Sequence, residues 1–201
     1  MSDVAVTVDV IYGRRVRLRV VEAEDLERVR CWRNSPEVYY PMYNWDPITA
    51  EMQRHWYETR VLKRERHHYF LVERFVPGES NYRPVGLISL TDVDGRHRRG
   101  DVGFYIANAE DRLPGVALEA EYMLLSFAFD QLGLHKVCLE VIQGNDKVAK
   151  MHRHYGFELE GRLRGHVWHD GVFKDVLVMG LLASDFAAHR EKIEALLERL
   201  A

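Results

Sequence analysis

Within this 201-residue sequence, the stretch with the clearest chemical potential is Arg112-Leu113-Pro114-Gly115-Val116-Ala117. It follows the alternating run Asp101–Ala107 and opens the apolar helical pattern Val116–Leu132, so it reads as a strand feeding a glycine-bearing turn at a helix N-terminus. Such a turn presents backbone N–H groups that the helix itself leaves unpaired. Together with the positive end of the helix dipole they form an anion site. Gly115 permits close backbone approach, and the small Ala117 leaves room for phosphate oxygens. A plain strand-to-helix connection has the same spacing, and the spacing alone does not separate the two.

The surrounding elements must hold that turn. Val4, Val6, Val8 and Val10 alternate with smaller or polar residues; after Gly13-Arg14, Val16, Leu18 and Val20 alternate with Arg15, Arg17 and Arg19. This predicts a strand pair with one wet face. Helices are expected at Glu22–Asn34, closed by Asn34-Ser35-Pro36, and at Thr49–Lys63 after the Asp46-Pro47 start signal. Strands are expected at His68–Arg74, Val85–Asp92 and Asp101–Ala107, then a short buried strand at Lys136–Val141 after the long helix. Asp146–His154 reads as a short helix, and Phe157–Arg164 with Phe173–Leu182 as a closing strand pair around Asp170-Gly171. Ser184 caps a final helix carrying Phe186, Ile193, Leu196, Leu197 and Leu200 at helical spacing. Three consecutive strands ahead of the long helix predict a mixed sheet and an α+β fold.

Composition narrows the function. Twenty-eight Lys and Arg against 31 Asp and Glu, with 47% hydrophobic residues, describe one globular domain spanning 1–201 rather than a general nucleic-acid binder. Apolar runs such as Met123–Phe129 are too short to span a membrane, and no apolar signal core follows Met1, so the expected setting is cytoplasmic. Cys31 and Cys138 supply neither a disulfide framework nor a four-cysteine zinc site, and no His, Asp and Cys cluster has metal-ligand spacing; no metal is expected.

Arg112-x-x-Gly115-x-Ala117 resembles the pyrophosphate-binding signature of the GNAT (Gcn5-related) N-acetyltransferases. Asn145, eleven residues ahead of Gly156-Phe157, matches that family's Asn…Gly-Phe spacing, and Phe104-Tyr105-Ile106 falls on the strand that the family splays from its neighbour. The resemblance covers residues 14–182, with 184–200 as an added C-terminal helix. Trp32-Arg33-Asn34, Gly86–Asp92, Leu139–Asn145 and Asp175–Gly180 are similar to the branch that holds ribosomal-protein N-terminal acetyltransferases and the nucleotide-aminosugar acetyltransferases of pseudaminic-acid biosynthesis. Ala117 stands where the aminosugar group tends to have Gly. Residues 39–70, which shape the acceptor pocket in such enzymes, are less alike.

The resemblance implies acetyl transfer from acetyl-CoA to a primary amine within a ternary complex. Tyr105 and Ile106 would hold the acetyl carbonyl and pantetheine through their backbone, residues 112–117 the pyrophosphate, and Asn145 the pantetheine arm. His152 occupies the position where many members place a tyrosine as general acid, and an imidazolium can donate a proton near working pH. It is also one of ten histidines and can be merely solvated or structural. Tyr155 reads as core. No base is evident: Asp92, Asp101 and Glu140 can take a proton, or serve as turn, cap or pairing residues. Trp32, Arg33, Asn34, Tyr39, Tyr40, Tyr43 and Trp45 would suit a base and a diphosphate, with Arg33, Asn34 and Tyr40 as acceptor contacts, or else form core and dimer contacts. The expected acceptor is a small nucleotide-linked 4-aminosugar. A protein N-terminus and a non-catalytic CoA-binding module are the alternatives. The apolar stripe of the last helix needs a cover, from this chain or from a second copy in a homodimer.

Overall fold

Apolar alternation sets one sheet. The computed structural model describes residues 8–78, 81–113 and 115–200, and in it eight strands lie in the order β1-β2-β3-β4-β5-β6-β8-β7. They are β1 Val10–Tyr12, β2 Val16–Val20, β3 His68–Val76, β4 Asn81–Asp94, β5 Arg99–Ile106, β6 Lys136–Ile142, β7 Glu158–His169 and β8 Val172–Leu182. The helices are α1 Leu26–Arg33, α2 Pro36–Tyr39, α3 Ala50–Trp56, α4 Val116–Ser126, α5 Asp146–Arg153 and α6 Ala183–Arg199. All neighbouring strands are antiparallel except β5 and β6. The architecture is the expected mixed, mostly antiparallel sheet with flanking helices and an added C-terminal helix.

One sheet face, with Leu18, Phe70, Ile88 and Leu90, buries against Leu124, Leu125 and Phe127 of the α4 segment and Phe186 and Ile193 of α6. The other face packs Leu71 and Leu87 against Val29 of α1 and Val61 of the helical turn Tyr57–Val61 that follows α3. The stripe of α6 is therefore covered by its own chain, with Leu196, Leu197 and Leu200 packed partly buried against the same core. The face of β2 expected to be wet is instead an ion-pair lattice. Buried Glu73 takes Arg17 and Arg19, and Arg19 also reaches buried Asp25.

Several boundaries move for local reasons. Val4 and Val6 lie outside the described residues, and β1 keeps only Val10–Tyr12. The first helix opens with a tight turn at Ala23–Asp25, which Glu22 and Asp25 close as a reciprocal capping box. Pro36 does not simply end that helix; it starts α2, since a proline at a first helical position gives up an N–H that has no intrahelical partner. Thr49, not Asp46-Pro47, caps α3 by accepting from the Met52 amide at 3.2 Å. Ser184 is not a cap: the helix begins at Ala183, and the Ser184 hydroxyl bonds Asp185. Strand β8 lies between β6 and β7, so the closing pair enters the sheet through its second member.

His68 is a buried liability in this core. Its ring meets Phe127 edge-on with centroids 5.2 Å apart, and burial, helped by the charges of Arg64 and His67, lowers its pKa from 6.5 to about 4. As pH falls the unfolded chain protonates His68 near 6.5 and the folded chain only near 4. Stability is therefore lost across that window, by up to about 3 kcal/mol from this residue, and not further below it. Urea unfolding of wild type and His68→Leu between pH 7 and pH 4 is expected to show the wild type losing that much more.

Candidate active site

The one parallel pairing among the described residues is short. Arg99, Gly100 and Asp101 of β5 face Lys136, Val137 and Cys138 of β6, and the ladder ends there. Past this vertex β5 stays on β4 as far as Gly86↔Ile106, while β6 stays on β8 as far as Ile142↔Val176. Each diverging arm thus has one row of backbone groups with no strand partner among the described residues, a cleft able to pair an extended amide-bearing chain. Tyr105 and Ile106 lie on the β5 arm. Ile106 faces the α4 core. Tyr105 faces α1, edge-on to Trp32 at 6.4 Å, and its buried hydroxyl has no hydrogen-bond partner among the described residues. Burial pushes that phenol up, against the opposing charge of Arg33.

The glycine turn lies beyond the end of the same arm. Gly115 precedes α4 with φ +92°, a left-handed conformation open to glycine. A Cβ there would sit 2.5 Å from Arg15 Nη1, so the site has backbone and a guanidinium where any other residue has a side chain. Glu119, in the first turn of α4, is buried and accepts the amides of Arg14 and Arg15, fixing the helix start against the β1–β2 turn. Asp111 anchors the loop from below, buried and accepting from Arg83, Arg74 and Asn108. Val116 is buried, Ala117 half-buried, Leu113 exposed, and Pro114 lies outside the described residues. Arg112 is exposed and donates to the Glu37 carbonyl at 3.2 Å, which puts its guanidinium at the rim beside α2. The side-chain-free Gly115 beside the Arg15 guanidinium, ahead of an unpaired strand edge, could hold a pyrophosphate followed by a pantetheine arm.

Asn145 is the residue before α5, and its side chain makes no capping bond to the helix. Its amide is half-buried just beyond the β6 arm. His152, on the last turn of α5, is buried and not solvated, with Nδ1 2.6 Å from Glu121 Oε1. Tyr155 is core as read: fully buried, it donates to the Leu118 carbonyl at 2.7 Å, and its phenol is pushed well up by burial and then by Glu121. Gly156 has φ +98°, and α6 packs so closely that a Cβ there would meet His189 Nδ1 at 2.8 Å.

On the α1 side of the vertex the chemistry is acidic. Desolvation, then the charges of Asp92 and Glu140, push the Asp101 carboxyl above its ordinary value. Glu140 accepts from the Tyr43 hydroxyl. Asp92 has Arg60 and Arg66 within 4.0 Å and is the weaker base candidate for it. The aromatic stretch is largely satisfied by the protein. Tyr40 stacks on Trp45 and bonds Asp170, and both rings meet His169 edge-on. Both ends of the Asn34 amide are taken by the Ile48 backbone, and Arg33 reaches Met42 Sδ. Tyr105 and Arg33 are brought together; Arg33 and Tyr40 are not brought to one shared anion site by any contact. Sequence reasoning passed over Glu119, Glu121 and Asp111. The signal it had was two carboxylates inside an otherwise apolar helix run.

A splayed parallel strand pair opening beside an amide-lined helix start is the architecture of an acyltransferase that handles a CoA thioester. Residues 15–158 match the family model described as Acetyltransferase (GNAT) domain, and the chain belongs to that family. It is an acetyl-CoA-dependent N-acetyltransferase. Among curated proteins it is 29% identical over 180 residues to the uncharacterized N-acetyltransferase YokL of Bacillus subtilis, covering 87% of this chain and 93% of that protein. It is 25% identical over 194 residues to spermidine N(1)-acetyltransferase of Escherichia coli K12, covering 92% and 96%. The crystal structure of Vibrio cholerae spermidine N-acetyltransferase in complex with CoA and spermine superposes with a TM-score of 0.77 at 24% identity over 87% of this chain and 99% of that one, a likeness of fold.

Proposed function

We propose that the acceptor is a small polycation of the polyamine class, and that the chain transfers acetyl from acetyl-CoA to one of its primary amines. The observation that carries this reading is the carboxylate set at the strand vertex, Asp101 and Glu140 with Asp92 behind them, on the open α1 side. A cationic chain gains from such a set, and a nucleotide diphosphate loses by it. The spermidine acetyltransferase relatives support the same class. The nucleotide-linked aminosugar loses its supporting feature, because Asn34, Tyr40 and Trp45 are already engaged by the protein. We propose that the reaction takes place in the cytoplasm and within a single domain.

When bound, acetyl-CoA supplies the activated acyl group. The turn at Gly115 and the β5 arm orient it, Asn145 steadies its arm, and the raised Asp101 carboxyl is suited to accept a proton from the incoming ammonium. A second reading, a protein N-terminus as acceptor, is favoured by one observation: the same carboxylates suit a basic peptide. Thiol release and product mass measured against spermidine, spermine, basic N-terminal peptides and a UDP-4-aminosugar separate the readings. Acetylated polyamine with little turnover elsewhere is the expected outcome. Turnover on peptides alone, or on the aminosugar alone, overturns it.

A further inference from the structure

Glu121 and His152 form a buried pair that cofactor binding and acceptor binding leave unexplained. Glu121 is 0% and His152 5% exposed. A carboxylate buried between two helices is not explained by stability, since apolar residues of the same volume would hold α4 and α5 as well. The register places the pair. The chain leaves β6 at Ile142, level with Val176, and re-enters the sheet at Glu158, level with Gly180, which faces Cys138. Helix α5 therefore runs back along the sheet toward the vertex. The His152 carbonyl accepts from the Phe157 amide at 3.3 Å, one residue before that level. Ala149, Tyr155 and Phe157 share the α4 core, so His152 stands on the α4 side beside the point where β5 and β6 part.

We propose that Glu121 is a positioning residue for His152, fixing its ring through Nδ1 so that Nε2 serves the leaving sulfur. The proposal rests on reading His152 as the proton donor. In the transfer Asp101 takes one proton from the incoming ammonium, the freed amine nitrogen bonds to the acetyl carbon, and the second proton displaced by that bond leaves to water. The carbon–sulfur bond breaks with its electron pair on sulfur, and the imidazolium Nε2–H protonates that sulfur. His152 then regains a proton from water. Nothing is oxidised or reduced.

The test compares wild type, Glu121→Gln, His152→Phe and the double variant, with the free enzyme also followed by ring-nitrogen NMR. His152→Phe is expected to lower kcat about 100-fold, and Glu121→Gln about 10-fold or more, within what a general acid contributes. KM for acetyl-CoA should stay within about twofold, as expected when binding is untouched. Glu121→Gln should change nothing further in the His152→Phe background, and in the free enzyme it should shift the His152 ring-nitrogen signals. An unchanged kcat in His152→Phe overturns the reading of His152 as donor. A slow His152→Phe beside a Glu121→Gln with wild-type kcat, or a Glu121→Gln loss that persists without His152, overturns the positioning role alone.

Discussion

Gly115→Glu is expected to abolish acetyl-CoA binding while leaving the sheet folded. Two effects act together. The φ of +92° costs any L side chain about 1–2 kcal/mol, which the chain tolerates. The added carboxylate projects where Arg15 Nη1 now lies 2.5 Å from the missing Cβ, and puts a negative charge where the proposed pyrophosphate site lies. Calorimetric titration is expected to show affinity lowered at least about 100-fold, a loss of about 3 kcal/mol. Gly115→Ala separates the causes: it carries the backbone strain without the charge, and Arg15 is a flexible side chain able to move, so about tenfold weakening is expected. Wild-type affinity in Gly115→Glu would remove the pyrophosphate from this turn.

The second large effect falls on the acceptor. Asp101→Asn together with Glu140→Gln is expected to raise KM for spermidine about 100-fold, about tenfold for each carboxylate removed, with KM for acetyl-CoA within about twofold. Asp101 stands at the strand vertex, and the charges of Asp92 and Glu140 already work against its ionisation; a bound ammonium relieves that repulsion. Steady-state kinetics at low and high salt check the cause. The wild-type KM should rise with salt, and the double variant's much less, because screening weakens only interactions between charges. Equal KM values in the two enzymes would move the acceptor away from the vertex.

The candidate cofactor half of the site could be proposed from the sequence because its signals are local. Arg112–Ala117 lies within one strand-turn-helix segment and the Asn145 to Gly156-Phe157 spacing within one helix-turn-strand segment, where neighbours in sequence are neighbours in space. The candidate acceptor half could not, because its contacts join remote segments. Tyr43 meets Glu140 across 97 residues and Tyr40 meets Asp170 across 130, so neither the satisfied aromatics nor the acidic vertex can be read from residues 31–45. The same holds for β8 slipping between β6 and β7. Glu119 and Glu121 were hidden differently. An apolar helix pattern invites the reader to place its charged residues outward, and here both are buried by specific partners, the Arg14 and Arg15 amides in one case and His152 in the other.

The most direct test of the cationic-acceptor account is kcat/KM for spermidine against a neutral-tailed monoamine of equal length, with acetyl-CoA saturating. The carboxylate vertex predicts a preference for spermidine of about 100-fold, two charge contacts at about tenfold each. Equal values for the two amines, or a higher value for a UDP-4-aminosugar, would contradict it.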